Sequence, residues 1–123
     1  MASFSFPRAA RLLKHVAFDR AYREGRRIYS AHFTAFFRQR GAAEAAAGGA
    51  PGARVGFTVG RVLGGAVARN RIRRRMREAV RYHLALLEAP VDVVMHPRKA
   101  VLDAAFAQLS AEVARAFEKI RSQ

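Results

Sequence analysis

From Ala66 to Leu87 one pattern restricts the chain more than any other. Ile72, Met76, Val80, Leu84 and Leu87 recur at spacings of three and four, so on a helix they form a single apolar stripe. Arg69, Arg71, Arg73, Arg74, Arg75, Arg77 and Arg81 crowd the positions between them. Such a segment must bury one side and leave the other to water or to a partner. Leu63-Gly64-Gly65 turns the chain into the helix and Pro90 ends it.

At about 100° per residue, Arg71, Arg74, Arg75, Arg77 and Arg81 fan around the sides opposite and adjacent to the stripe. No acid occurs from Ala45 through Arg77, a stretch that also holds Arg54 and Arg61. A charged helix face is often simply solvated. Here, however, like charges three and four apart repel, each pair costing about 0.2–0.5 kcal/mol, and only Glu78 is placed to relieve them. A polyanion would supply the missing counter-charge.

The remaining elements are set by their own periods. Leu12, Val16, Phe18, Ala21 and Tyr22 predict a first helix over Leu12–Glu24, with Gly25 beyond its end and Phe18 and Tyr22 on one side. Ile28 to Arg38 alternates as a strand, Phe33, Ala35 and Phe37 facing one way, His32, Thr34, Phe36 and Arg38 the other. Arg54 to Val62 alternates again, with Val55, Phe57 and Val59 on the core side and the small Gly56, Thr58 and Gly60 opposite, leaving the backbone approachable. Val91 to Met95 reads as a short buried strand, followed by a loop at His96-Pro97-Arg98-Lys99. A last helix is expected with Asp103 as N-cap and Phe106, Leu109, Val113, Phe117 and Ile120 as its inward stripe. Between the first two strands, the Ala/Gly-rich stretch at about 39–53 is too poor in large apolar residues for core and reads as a flexible loop.

These elements call for one α+β domain over residues 1–123, in the order α-β-β-α-β-α. Nine Phe, three Tyr and a 51% apolar content are enough for a core, which sets the chain apart from disordered basic tails. Against nine acids stand 23 Lys and Arg, a net charge of +14, and only Lys14, Lys99 and Lys119 are lysines. Guanidinium pairs bidentately with phosphate and stacks on bases, so nucleic acid is the expected partner. The absence of cysteine excludes disulfides and thiolate chemistry. With no apolar run of membrane length and no secretory pattern at Met1 to Pro7, a cytoplasmic protein without a membrane partner is expected.

One segment is more specific than composition. Arg61 through Arg77, RVLGGAVARNRIRRRMR, closely resembles the signature segment of the bacterial ribonuclease P protein family, centred on Ala66-Val67-Ala68-Arg69-Asn70-Arg71-Ile72-Arg73-Arg74. A basic helix assembled by chance has no reason to carry that order. Arg11-Leu12, Phe18, Tyr22, Gly25, Phe33, Phe36 and the strands at Val55–Val59 and Val91–Met95 extend the resemblance at lower specificity. It departs at Val62 and Gly65, where relatives often carry a basic residue and an Asn, and at Arg98, which looks shifted by about one residue.

The resemblance implies a mixed sheet of about four strands with a left-handed crossover. It also implies a protein that joins a catalytic RNA in removing the 5′ leader of precursor tRNA. By position, Arg69, Asn70, Arg71, Arg73, Arg74 and Arg77 would dock on that RNA. Phe18, Tyr22, Phe33 and Phe36, with Arg61 at the edge, would line a cleft for the leader. Phe33 shares a strand face with Ala35 and Phe37, so it reads first as core and second as leader contact; Phe36 and Tyr22 are the better cleft candidates.

No protein active site is expected. The acids are scattered, and His15, His32, His83 and His96 show no catalytic frame, so no metal or cofactor is assigned to the protein and Mg²⁺ is expected on the RNA subunit. The protein would be an accessory subunit of an endoribonuclease. The rival reading is a general RNA-binding protein that reads no leader, which would gain if Phe18, Tyr22 and Phe36 were all buried. DNA is not an expected partner, since no helix precedes Ala66 to make a turn-linked pair.

Overall fold

The structure, a computed structural model, describes residues 6–41, 43–44 and 52–123. Its elements are α1 (His15–Glu24), β1 (Arg26–Tyr29), β2 (Phe33–Gln39), β3 (Arg54–Phe57), α2 (Ala66–Arg81), β4 (Val91–Pro97) and α3 (Phe106–Arg121). The four strands form one mixed sheet in the order β1-β2-β4-β3. β1 and β4 run antiparallel to β2, while β3 runs parallel to β4, so α2 is the crossover between neighbouring parallel strands. The α+β class and the four-stranded mixed sheet are those expected.

The two sheet faces are packed by different partners, one of them only in part. Phe33, Ala35 and Phe37 of β2 join Val91, Val93 and Met95 of β4 in the main core. There Ile72, Met76 and Val80 of α2 and Leu109, Val113, Phe117 and Ile120 of α3 meet them, the two stripes legible in the sequence. On the opposite face Leu12, Ala21 and Val94 form a small second cluster, with Phe18, Tyr22 and Phe36 packed against it. α1 thus covers only part of its face. Strand alternation sends odd positions of β2 to the main core and even positions to α1.

Several boundaries differ from the expected ones. The strand expected from Ile28 to Arg38 is a hairpin: β1 ends at Tyr29, Ser30-Ala31-His32 turns, and β2 begins at Phe33. This hairpin supplies the fourth strand. α1 starts at His15 rather than Leu12, because the Leu12 N–H donates to Val55 O at 2.9 Å and that residue lies against the sheet. β3 stops at Phe57, although the Thr58 N–H still reaches Met95 O at 3.0 Å. α2 gives way after Arg81 to a 3₁₀ turn at Leu84–Leu86. β4 continues through His96 and Pro97, which pair with Thr34 and Phe33. Asp103 does not cap α3; Ala105 holds that position without a side-chain bond, after a 3₁₀ turn at Lys99–Leu102.

Of the loop expected over 39–53, residues 42 and 45–51 lie outside the described residues. Its two ends are ordered parts of the fold. Gln39 closes β2, and Arg40 and Ala53 are buried, with Arg40 at 3.5 Å from the buried Asp92. Arg54 clasps the same carboxylate with two bonds of 2.8 Å.

Candidate RNA interface

The entry to α2 depends on Gly64, whose φ of 129° lies where side chains are rarely accommodated. Beyond it the apolar stripe points into the core and fixes which arginines face outward. Asn70, Arg71, Arg74 and Arg77 are exposed, and Arg69, Arg73 and Arg75 are half-buried along the flanks. Arg73 is held by Asn70 Oδ1 at 3.0 Å, so the asparagine orients a guanidinium. Arg75 donates to Ala104 O, across to the segment leading into α3. Glu78, the acid placed to relieve the cluster, pairs instead with Arg81 at 2.8 Å. Arg71, Arg74 and Arg77 have no carboxylate partner among the described residues, and their charge faces solvent uncompensated.

The second feature lies where α1 leaves the sheet uncovered. The rings of Tyr22 and Phe36 meet edge to face with centroids 5.0 Å apart, and His96 stands 5.0 Å from each. The Tyr22 hydroxyl lies 2.6 Å from His96 Nε2 and 2.5 Å from Thr58 Oγ1. Burial raises the Tyr22 pKa, only partly offset by the Thr58 bond, and lowers that of His96. Both groups are therefore held toward neutrality. Arg27 sits with its guanidinium carbon 5.1 Å from the Phe36 ring centre. Arg98 donates to Thr34 Oγ1 at 2.9 Å and to Ser30 O at 2.7 Å.

Phe18 links the two features. It packs over Gly56, where an added Cβ would lie 2.5 Å from its Cζ. It also lines a cavity of about 200 Å³ with Arg11, Val55, Phe57, Arg73 and Arg77. The cationic face of α2 and the aromatic side of α1 therefore border one concave surface. The small residues expected on the β3 face serve this approach: Gly56 admits Leu12 and Phe18, not solvent.

Of the residues expected in the cleft, Phe18, Tyr22 and Phe36 are all partly exposed. Phe33 is a correction. It is fully buried among the main-core residues, on the opposite sheet face from Phe36, and offers no surface for a base. Arg61 is exposed on the 3₁₀ turn before α2. Sequence reasoning misses His96, Thr58 and Arg27. The alternation that puts Phe36 outward also points to Arg27, its partner on β1, once the hairpin is recognised. Among the described residues no group of three or more His, Asp or Glu could hold a metal ion, and no helix is long and apolar enough to cross a membrane.

Comparison with known proteins gives a family and a fold. The family model described as Ribonuclease P matches residues 6–121. The fold is similar to that of the RNase P protein from Thermotoga maritima, with a TM-score of 0.72 and 24% identity, covering 89% of this chain and 96% of that one. It is likewise similar to the RNase P protein of Staphylococcus aureus, with a TM-score of 0.68 and 24% identity over 90% of this chain and 94% of that one. A search of curated proteins finds no match.

Proposed function

The chain belongs to the ribonuclease P protein family, the protein subunits of a tRNA-processing endoribonuclease, and on that premise we propose that it is an accessory subunit that holds two RNA segments at once. The exposed arginines of α2, with Asn70, take the phosphates of the catalytic RNA. The cleft of Phe18, Tyr22 and Phe36 takes the unpaired 5′ leader of precursor tRNA, with Arg61 as a further phosphate contact. Cleavage rests with the RNA subunit and the Mg²⁺ it holds, in the cytoplasm. Residues 1–123 act as one domain.

The observation that carries this reading is the cavity edge where Phe18 meets Arg73 and Arg77. A structured RNA lying on α2 and a single strand lying on the rings would adjoin there. Single strands are held by stacking their bases on rings while cations track the backbone, and this surface supplies both. Neutralising phosphates where strands crowd together lets substrate and metal ions settle at lower salt, which gives a very basic subunit a physical role. The partial exposure of these rings favours leader binding over a general RNA-binding protein, which would need only the arginines.

The test is removal of the 5′ leader from a precursor tRNA by the cognate RNA subunit at low Mg²⁺, with and without the protein. Stimulation that disappears when the leader is cut to about one nucleotide is the expected result. Tight RNA binding without stimulation would support the general RNA-binding reading instead.

A further inference from the structure

β1 is an edge strand, hydrogen-bonded only to β2 in the sheet order β1-β2-β4-β3. Its register pairs Arg27 with Phe36 and Tyr29 with Thr34, and directly paired residues of antiparallel strands share a face. Arg27 and Tyr29 therefore stand on the cleft side, whereas Ile28 packs against the main core. α1 has ended at Glu24 before this row begins.

Tyr29 is 67% exposed, a large ring with no part in the core. A single exposed tyrosine on an edge strand is ordinary. This one is joined to the cleft through Arg27, whose guanidinium lies over the Phe36 ring at 5.1 Å and whose Nη1 donates to the Tyr29 hydroxyl at 3.2 Å. One cation thus bridges the Phe36 and Tyr29 rings. Arg98 sets a second guanidinium in the neighbouring row by its bonds to Thr34 and to the turn at Ser30. Neither Arg27 nor Arg98 has a carboxylate partner among the described residues. Rings alternating with guanidinium groups on an open sheet face match the chemistry of an unpaired strand, base on ring and phosphate on Arg.

We infer that the single-strand track does not end at the cleft but continues across Arg27 onto β1, where Tyr29 stacks one further unpaired leader nucleotide and Arg27 and Arg98 hold its phosphates. This rests on the leader-binding reading above. The two residues from Arg27 to Tyr29 carry the track about 7 Å further along the strand, which lets a base lie on Tyr29 without displacing one held at Phe36. The added station makes affinity depend on leader length beyond what the cleft alone requires.

The experiment uses the assembled holoenzyme and a series of precursor tRNAs differing by single leader nucleotides. Apparent affinity is measured for the native protein, Tyr29→Ala, Tyr29→Phe and Arg27→Gln. For native protein, affinity should rise in steps with leader length. Tyr29→Ala should remove the last step, a loss of about five- to ten-fold confined to the longer leaders, because stacking a base on a ring is of that order. Tyr29→Phe should restore it, since the ring face is kept. Arg27→Gln should weaken the same step. Thermal unfolding of Tyr29→Ala should match that of native protein, separating a binding loss from a folding defect. If native protein depends on leader length while Tyr29→Ala follows the same curve at every length, the β1 station is wrong and the cleft reading stands. If native protein shows no dependence on leader length, the cleft reading itself fails and the β1 station with it.

Discussion

The Tyr22 hydroxyl lies 2.6 Å from Nε2 of His96, and their rings meet edge to face with centroids 5.0 Å apart. Thr58 Oγ1 closes the other side of the phenol at 2.5 Å. The phenol has one proton and two neighbours, so the protonation of His96 Nε2 sets the direction of the chain. When Nε2 is unprotonated it accepts from Tyr22, which accepts from Thr58; when Nε2 carries a proton, in one neutral tautomer or in the imidazolium, it donates to Tyr22, which then donates to Thr58.

This arrangement predicts an acid-labile fold. Burial lowers the pKa of both His96 and His83, so as pH falls the unfolded chain takes up those protons before the folded chain does. Their stabilising effect is complete above the ordinary histidine pKa of about 6.5 and is lost as pH drops through the folded values. Thermal midpoints at pH 7.5 and 5.5 should show a drop for native protein and a smaller one for His96→Gln. Equal drops would mean that His96 takes up its proton alike in the folded and unfolded chain, against the burial effect.

The α2 arginines should separate binding from folding. Arg71, Arg74 and Arg77 are exposed, so their joint replacement by alanine should leave the unfolding midpoint nearly unchanged. It should lower the slope of log affinity for the catalytic RNA against log salt by about two to three units, close to one for each phosphate left without its arginine. Arg75→Ala should do the reverse, costing about 1 kcal/mol of stability because its bond to Ala104 disappears, with little change in slope. An unchanged slope in the triple variant would remove α2 as the docking surface.

Periodicity makes the main core readable because its signals are local. Ile72, Met76 and Val80, and likewise Leu109, Val113 and Phe117, occupy single helical stripes, and a stripe of that width has to be buried. The β1–β2 hairpin is not readable because Tyr29-Ser30-Ala31-His32 contains no glycine, proline or asparagine. A carboxylate on α3 secures that turn instead, a contact about eighty residues away that no local pattern announces. Pro97 makes His96 read as loop. Pairing with β2 nevertheless runs to the proline, and His96 stands on the same sheet face as Phe36, against Tyr22. Phe36 and Tyr22 can be suspected from alternation and helical spacing, whereas their junction with His96 and Thr58 exists only once four elements and loops have met.

Gly56 is where the sheet admits α1. A Cβ there would lie 2.5 Å from Phe18 Cζ and 2.8 Å from Leu12 O, and the backbone oxygen has little freedom to retreat. Gly56→Ala should therefore destabilise the protein by about 1–3 kcal/mol through overpacking. It should also displace Phe18, weakening leader-dependent binding beyond what the stability loss explains. Denaturant unfolding with leader-length-dependent affinity measures both. A fully stable Gly56→Ala protein would show that α1 can move off the sheet without cost.

Glu112 should prove the hidden support of the hairpin. It is buried on α3 and accepts from Ser30 Oγ at 2.5 Å, the His32 N–H at 3.0 Å and His32 Nδ1 at 2.5 Å. Burial works to raise its pKa, but the bonds from Ser30 and from the His32 backbone and ring together bring it below the ordinary value of 4.5. The carboxylate therefore stabilises the fold above that range, and the contribution is lost as pH falls below it. Glu112→Ala strips the turn of three bonds at once and should cost about 3 kcal/mol, the order seen when one partner of a buried pair is removed. The loosening should be local before it is global. Amide exchange at His32 should accelerate more than exchange in β4, and Arg98, bonded to Ser30 O, should lose its anchor with the turn. Uniform acceleration across the sheet would mean instead that Glu112 supports the whole core and not the hairpin that carries Arg27 and Tyr29.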